Sequence, residues 1–268
     1  NFGIVTSFEY RLHPVGPIVL AGAIFHPLDN APEVLRFYRE FAASAPDELT
    51  TIFELELAPP APFLPEDVHG KPIVMVGACY AGAPEDGAEV VRPLKEFGSP
   101  IVDRLEPKPY VALQSMFDPL VPHGWHRYWK SVELPPLTDD AIDTLIDHTS
   151  RITSPRSYTI ILQLGGALGR VPEDATAFSQ RDATHNVVIN AVWTEDDPEG
   201  DRHTTWARDF FDAMQPHARD RVYVNFLGDE GPDRVRQAYG AAKYDRLVEL
   251  KRAYDPTNFF RLNQNIEP

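Results

Sequence analysis

Thr51-Ile52-Phe53-Glu54-Leu55-Glu56-Leu57 and, beyond a Pro-rich loop at Pro59 to Asp67, Lys71-Pro72-Ile73-Val74-Met75-Val76-Gly77-Ala78-Cys79-Tyr80 decide the fold of this chain. The first stretch alternates apolar residues with Glu54 and Glu56, and the second is Val-rich, so both read as strands. Two strands in succession with one solvated face pair antiparallel. Upstream, the apolar run Ile18 to Phe25 is a strand, and Asp29-Asn30 offers caps for a helix over about Pro32 to Ala43. In that helix Val34, Leu35, Tyr38 and Phe41 form the one-sided stripe of a helix lying on a sheet. Downstream, a helix over about Pro84 to Phe97, stopped by Gly98, leads to a short strand at Ile101 to Glu106. The order β-α-β-β-α-β is the split unit of ferredoxin-like folds.

The second half repeats this order without repeating the sequence. Trp125 to Leu134 reads as a strand, Thr138 caps a helix to about Thr149, and Ser157 to Leu164 with Asn186 to Trp193 gives two more strands before a helix over about Asp201 to Met214. The expected fold is α+β: a large antiparallel sheet with helices packed mainly on one face, a duplicated ferredoxin-like unit. The last fifty residues differ in character. Asp220 to Phe226 is expected as a short strand, Pro232 to Tyr239 and Tyr244 to Tyr254 as helices, and Asp255-Pro256-Thr257-Asn258 as the stop before an extended tail. The opening, Asn1 to Leu12, reads as a strand already under way.

Composition narrows the function classes. The 268 residues are 43% apolar and 24% charged, a globular balance. A net charge of −15 repels phosphate backbones and anionic lipid surfaces, so nucleic acid is excluded as a partner, and no apolar run is long enough for a membrane span. The single cysteine, Cys79, forms no internal disulfide, which points to a reducing, cytoplasmic setting.

Most motifs favour their structural readings. Gly165-Gly166-Ala167-Leu168-Gly169 lacks the spacing and the following helix of a dinucleotide loop and reads as a tight turn. His123 and His126 have no Asp, Glu or Cys at a metal-ligand spacing, the acidic loop 195–201 lacks the alternation of a calcium loop, and no metal site is expected. No Gly-x-Ser-x-Gly elbow is present. On a strand, Tyr223 and Asn225 of Tyr223-Val224-Asn225-Phe226 would share one face. A phenol and an amide projecting together could abstract a proton and fix a carbonyl, although a core tyrosine with a satisfied hydroxyl fits the bare pattern better. Asn263 and Asn265 alternate around Gln264 in the same manner, and two amides aimed one way suit the edge of a planar heterocycle, with plain solvent exposure as the other reading.

Three stretches carry a family resemblance: Asn1-Phe2-Gly3-Ile4-Val5-Thr6-Ser7-Phe8; Gly165-Gly166-Ala167 with Ala177-Phe178-Ser179-Gln180-Arg181; and Tyr223-Val224-Asn225 with the run from Tyr254 to Ile266. Together they resemble the berberine-bridge-enzyme-like oxidases, FAD-linked members of the vanillyl-alcohol oxidase superfamily. The resemblance implies that residues 1–14 are the last strand of an FAD-binding domain whose remainder, with its covalent flavin-attachment residues, is missing. It implies a substrate-binding domain at 15–219 and a C-terminal segment at 220–268 that returns to the flavin.

By the same resemblance, a small organic substrate loses a hydride to flavin while a base takes a proton, and oxygen reoxidises the flavin. Tyr223 matches the family's base; Asn1, Phe2, Gly3, Asn225, Asn263 and Asn265 match positions near FAD; and Gln163 and Arg181 are expected at the substrate. Gln180 replaces a frequent family histidine, and Ala175 stands where the plant bridge enzyme has a catalytic glutamate. These departures argue against bridge-forming alkaloid chemistry and for alcohol, sugar or polyketide oxidation. The isolated chain is then expected to be inactive without its N-terminal FAD-binding half, and an exposed flavin-covering face invites that partner or self-association. The competing reading is a flavin-free ligand-binding or interaction domain that keeps the fold.

Overall fold

The sheet in the computed structural model, which describes residues 2–228 and 230–268, is built around the two strands at 49–57 and 72–80. β2 (Leu49–Leu57) and β3 (Pro72–Tyr80) pair antiparallel, with Ile52 opposite Gly77 and Glu54 opposite Met75. They follow β1 (Ile18–Pro27) and α1 (Ala31–Ala43) and precede α2 (Pro84–Glu96), β4 (Val102–Asp103), β5 (Glu106–Pro109) and a five-residue α3 (Tyr110–Gln114). The second half supplies β6 (His126–Leu134), α4 (Asp139–Thr149), β7 (Tyr158–Gln163), β8 (His185–Trp193) and α5 (Gly200–Met214); α6 (Pro232–Tyr239) and α7 (Ala241–Tyr254) close the chain. The sheet order is β4-β1-β3-β2-β7-β8-β6 with β5 also on β1, every pairing antiparallel. The first half thus keeps the full ferredoxin-like order, the second keeps its first three strands and both helices, and the two meet through β2 and β7 in mirror-image strand order.

The period-2 alternation of the strands sorts their residues onto two faces. Phe53, Leu55, Val74, Val76, Ile161, Val187 and Ile189 form the main core with the stripes of the helices: Val34, Leu35 and Tyr38 of α1, Ile142 and Leu145 of α4, Trp206 and Phe210 of α5. Thr138 caps α4 by accepting from Ala141 N–H at 3.2 Å. The other face has no helix layer among the described residues. Over its β1–β3 end, Ala58 and Leu64 from the loop after β2 pack on Ala23, Phe25, Ile73 and Met75. At its β6 end, Trp129 Nε1 donates to the Phe226 carbonyl at 3.1 Å. There a small separate core of Val222, Leu227, Val235 and Ala238 holds the C-terminal segment together.

Three expected strands change form. The one expected at Ile101 to Glu106 is two short strands, because Gly22 of β1 sits at φ +138 and a Cβ there would lie 2.0 Å from the Arg104 carbonyl oxygen; the chain bulges into that space and resumes pairing afterwards. Asp220 to Phe226 is not a strand. Arg219 N–H reaches the Glu133 carbonyl at 2.9 Å, then the chain leaves the edge of β6 and closes a 3-10 turn at Val224–Phe226. The opening segment pairs with no strand among the described residues, and Ile4, Phe8 and Leu12 are exposed.

Candidate active site

The middle of the uncovered face, between the loop after β2 and the C-terminal segment, is floored by Ile52, Glu54 and Glu56 of β2, Ile160 and Leu162 of β7, and Asn186, Val188 and Asn190 of β8. Glu54 lies between Met75 and Ile160, and Glu56 between Ile73 and Tyr158. Both carboxylates are half-buried with no hydrogen-bond or ion-pair partner among the described residues. Burial among apolar neighbours, helped by the charge of Glu56, pushes Glu54 well above the usual carboxylate range, and burial alone pushes Glu56 up to about 7. Further along the same face, Glu133 of β6 stands opposite Asn186. Both side chains are nine-tenths or more buried, and all four of their side-chain polar atoms lack partners. Burial raises Glu133 to about 7 against the opposing pull of Arg221 and Arg219.

Of the expected site residues, the structure gathers Arg181, Tyr223 and Asn225. Arg181 donates to the Leu168 carbonyl at 3.1 Å and to Thr176 Oγ1 at 2.6 Å, and its guanidinium stacks 4.8 Å from the centre of the Phe178 ring. Phe178 in turn meets Tyr223 edge-on at 5.8 Å. Asn225 Nδ2 donates to the Tyr223 hydroxyl at 2.7 Å, so these two meet through the turn rather than along a strand face. The tail lies close by: Gln264 Nε2 donates to the Leu227 carbonyl at 2.6 Å, Asn263 adopts φ +61 at the surface, and Asn265 is half-buried with its Oδ1 buried and partnerless.

A buried clasp fixes where that tail begins. Lys251 Nζ donates to Asp255 Oδ2 at 2.6 Å and to the Phe260 carbonyl at 2.8 Å, while Asp255 accepts from Phe259 N–H at 2.8 Å and Phe260 N–H at 2.9 Å. Burial would raise the Asp255 carboxyl, but Lys251 and the two N–H donors hold it below the usual range.

Gln163 is a correction. It shares a face with Thr159 and Ile161, on the helix side, where it accepts from Thr51 Oγ1 and donates to the Ala42 carbonyl of α1 at 2.6 Å. Its near neighbours Leu162 and Ile160 look the other way, so Gln163 braces the core and is not turned toward the uncovered face. Phe2 is half-buried and Gly3 exposed in the opening segment, neither joined to the residues above by any hydrogen bond, and Asn1 lies outside the described residues. Glu54, Glu56, Glu133, Asn186 and Asn190 were not singled out by the sequence reading. The alternation at Glu54 and Glu56 marked a polar face, but not that the face would be half-buried.

Residues 222–267 match the family model for berberine and berberine-like proteins. The whole chain is 28% identical to an FAD-linked oxidoreductase of Dictyostelium discoideum, of which it covers 56%. Among solved structures, 6-hydroxy-D-nicotine oxidase of Arthrobacter nicotinovorans superposes with a TM-score of 0.76 at 17% identity over 95% of this chain and 56% of that one. A berberine-bridge-enzyme-like protein of Arabidopsis thaliana gives 0.75 at 16% identity over 94% and 57%. The chain spans about half the length of the curated relatives it matches.

Proposed function

We infer that this chain belongs to the berberine-bridge-enzyme-like FAD-linked oxidoreductases, which its similarities support, and that it forms the substrate-binding sheet and the flavin-facing C-terminal segment of an enzyme that oxidises a small organic molecule. The observation that carries this reading is the Tyr223–Asn225 pair, set beside an uncovered sheet face whose carboxylates have no partner among the described residues. The residues present suit the ring end of FAD. Asn265 keeps a buried acceptor free, and Asn225 and Asn263 hold amides at the surface, a set that matches the alternating N–H and carbonyl edge of an isoalloxazine. The chemistry that FAD would supply there is acceptance of a hydride from the substrate carbon, with oxygen as the final electron acceptor.

The chain's own part is binding, orientation and proton removal. Tyr223, acting as its phenolate, takes the proton of the substrate hydroxyl and becomes neutral, while the Asn225 amide, donating to the phenol oxygen, holds that oxygen in place. Arg181, held by Leu168, Thr176 and Phe178, is fixed in orientation before any substrate arrives. Glu54 and Glu56 accept hydrogen bonds from substrate hydroxyls on the floor of the site, in keeping with an alcohol, sugar or polyketide. Joined to an N-terminal half that carries FAD, the Tyr223→Phe variant is expected to slow flavin reduction by substrate about 10²- to 10⁴-fold in stopped flow. Reduction at the unaltered rate would remove Tyr223 from the chemistry.

A further inference from the structure

At the edge of β6, a cleft of about 140 Å³ opens between the strand, α5, the 218–221 linker and α6. Ser131, Gln215, Arg219, Arg221 and Arg234 line it, with Asp220 among them. Arg219 and Arg221 share a single carboxylate, Asp182, with Arg221 Nη1 at 2.9 Å. Arg234 shares Glu230 with Lys130, at 3.3 Å and 3.0 Å. Asp220 turns its Oδ1 to the Gln237 amide. The charged side chains that line the cleft are thus three arginines and one carboxylate, Asp220, with Asp182 and Glu230 pairing those arginines from beside it, in a chain whose net charge is −15. The neighbouring Glu133, raised to about 7 by burial, adds little negative charge below neutrality. The second Nη and the Nε of both Arg219 and Arg221 have no partner among the described residues, so donors remain after the ion pairs are counted. The Ser131 hydroxyl is a further unused donor: the residue is 5% exposed and its Oγ has no partner.

We propose that this cleft binds one tetrahedral oxyanion, a phosphate group, held by Arg219, Arg221, Arg234 and the Ser131 hydroxyl. Guanidinium forks suit phosphate oxygens because two parallel N–H bonds match their spacing, and a buried hydroxyl without a partner is favourable only once a ligand meets it. The bound anion bridges β6 to the linker and to α6, and so clamps the C-terminal segment onto the sheet. This site is independent of the redox reading and stands or falls without flavin.

The test is calorimetric titration and thermal melting of the 268-residue chain at pH 6.5 with sodium sulfate, sodium phosphate and glycerol phosphate, against sodium chloride at equal ionic strength. One sulfate or phosphate per chain is expected to bind and raise the melting temperature, with chloride giving neither effect. Tighter binding of glycerol phosphate than of inorganic phosphate assigns the site to the phosphate end of a larger molecule, and equal or weaker binding assigns it to the free ion. Arg221→Gln is expected to weaken sulfate about tenfold. Because that variant also loses the Asp182 pair, Ser131→Ala is the cleaner probe: it should melt no lower than the parent without sulfate, yet bind sulfate several-fold more weakly. A melting shift that chloride reproduces, or sulfate affinity unchanged in both variants, overturns the proposal.

Discussion

Glu133 shows how far a single side chain can depart from what its strand pattern suggests. Alternation in Ser131-Val132-Glu133-Leu134 places the carboxylate on the face away from the helices, and a lone reading of that pattern calls for solvent. In the structure the residue is fully buried and neither carboxylate oxygen has a partner. Which residues cover a strand is a property of distant chain, here the 219–221 linker, and no local pattern encodes it. Gln163 departs in the opposite sense: the family resemblance points it to the substrate, but the register with β2 commits it to Thr51 and α1.

The burial of Glu133 has a thermodynamic consequence. Its pKa rises from 4.5 to about 7, so between those values the folded chain holds a proton that the unfolded chain has released. Unfolding free energy therefore declines as pH climbs from about 4.5 to about 7, and Glu56, raised in the same direction, adds to the decline. Glu133→Gln should flatten the fall by on the order of 2 kcal/mol, read from urea melts at several pH values. An identical pH slope in parent and variant would mean that Glu133 is ionised in the folded chain.

At the scale of elements, the helices were the most legible part. α1, α4 and α5 each carry a one-sided apolar stripe, and Thr138 marks the start of α4 by a cap that the structure contains. Strands with long partners were equally plain, as β2 and β3 show. What escaped was pairing that depends on one backbone accommodating another. Nothing in Ile101 to Glu106 announces the break between β4 and β5, because its cause lies some eighty residues earlier, in the absent side chain of Gly22. The alternation in Tyr223-Val224-Asn225-Phe226 promised a strand, but the chain departs from β6 after one backbone hydrogen bond and the turn takes over. Gly22→Ala puts a Cβ against the Arg104 carbonyl and holds alanine at a φ it rarely adopts, so a loss of about 2 to 4 kcal/mol is expected in chemical denaturation. Retention of parental stability would show that the β4–β5 bulge relaxes freely.

For the molecule as a whole, the asymmetry of the sheet matters more than any one element. One face is sealed by four helices, while the other is roofed only at its ends, by the loop after β2 and by the C-terminal segment. Large apolar side chains stand in solvent at both ends of the sequence: Ile4 is 79% exposed and Phe8 71%, and Phe259 and Leu262 are 76% and 80%. Water contact at so many bulky side chains costs free energy that association recovers, since each fully buried Leu or Phe contributes about 1.5–3 kcal/mol. The chain is therefore expected to self-associate, its average mass in sedimentation equilibrium rising with concentration over about a hundredfold range. Replacing Phe259 and Leu262 together by serine should shift the chain toward monomer without lowering its melting temperature, because neither side chain belongs to a buried core and the Lys251–Asp255 clasp uses only the backbone of this segment. A strictly monomeric mass at every concentration would show that these side chains are tolerated in water as they stand.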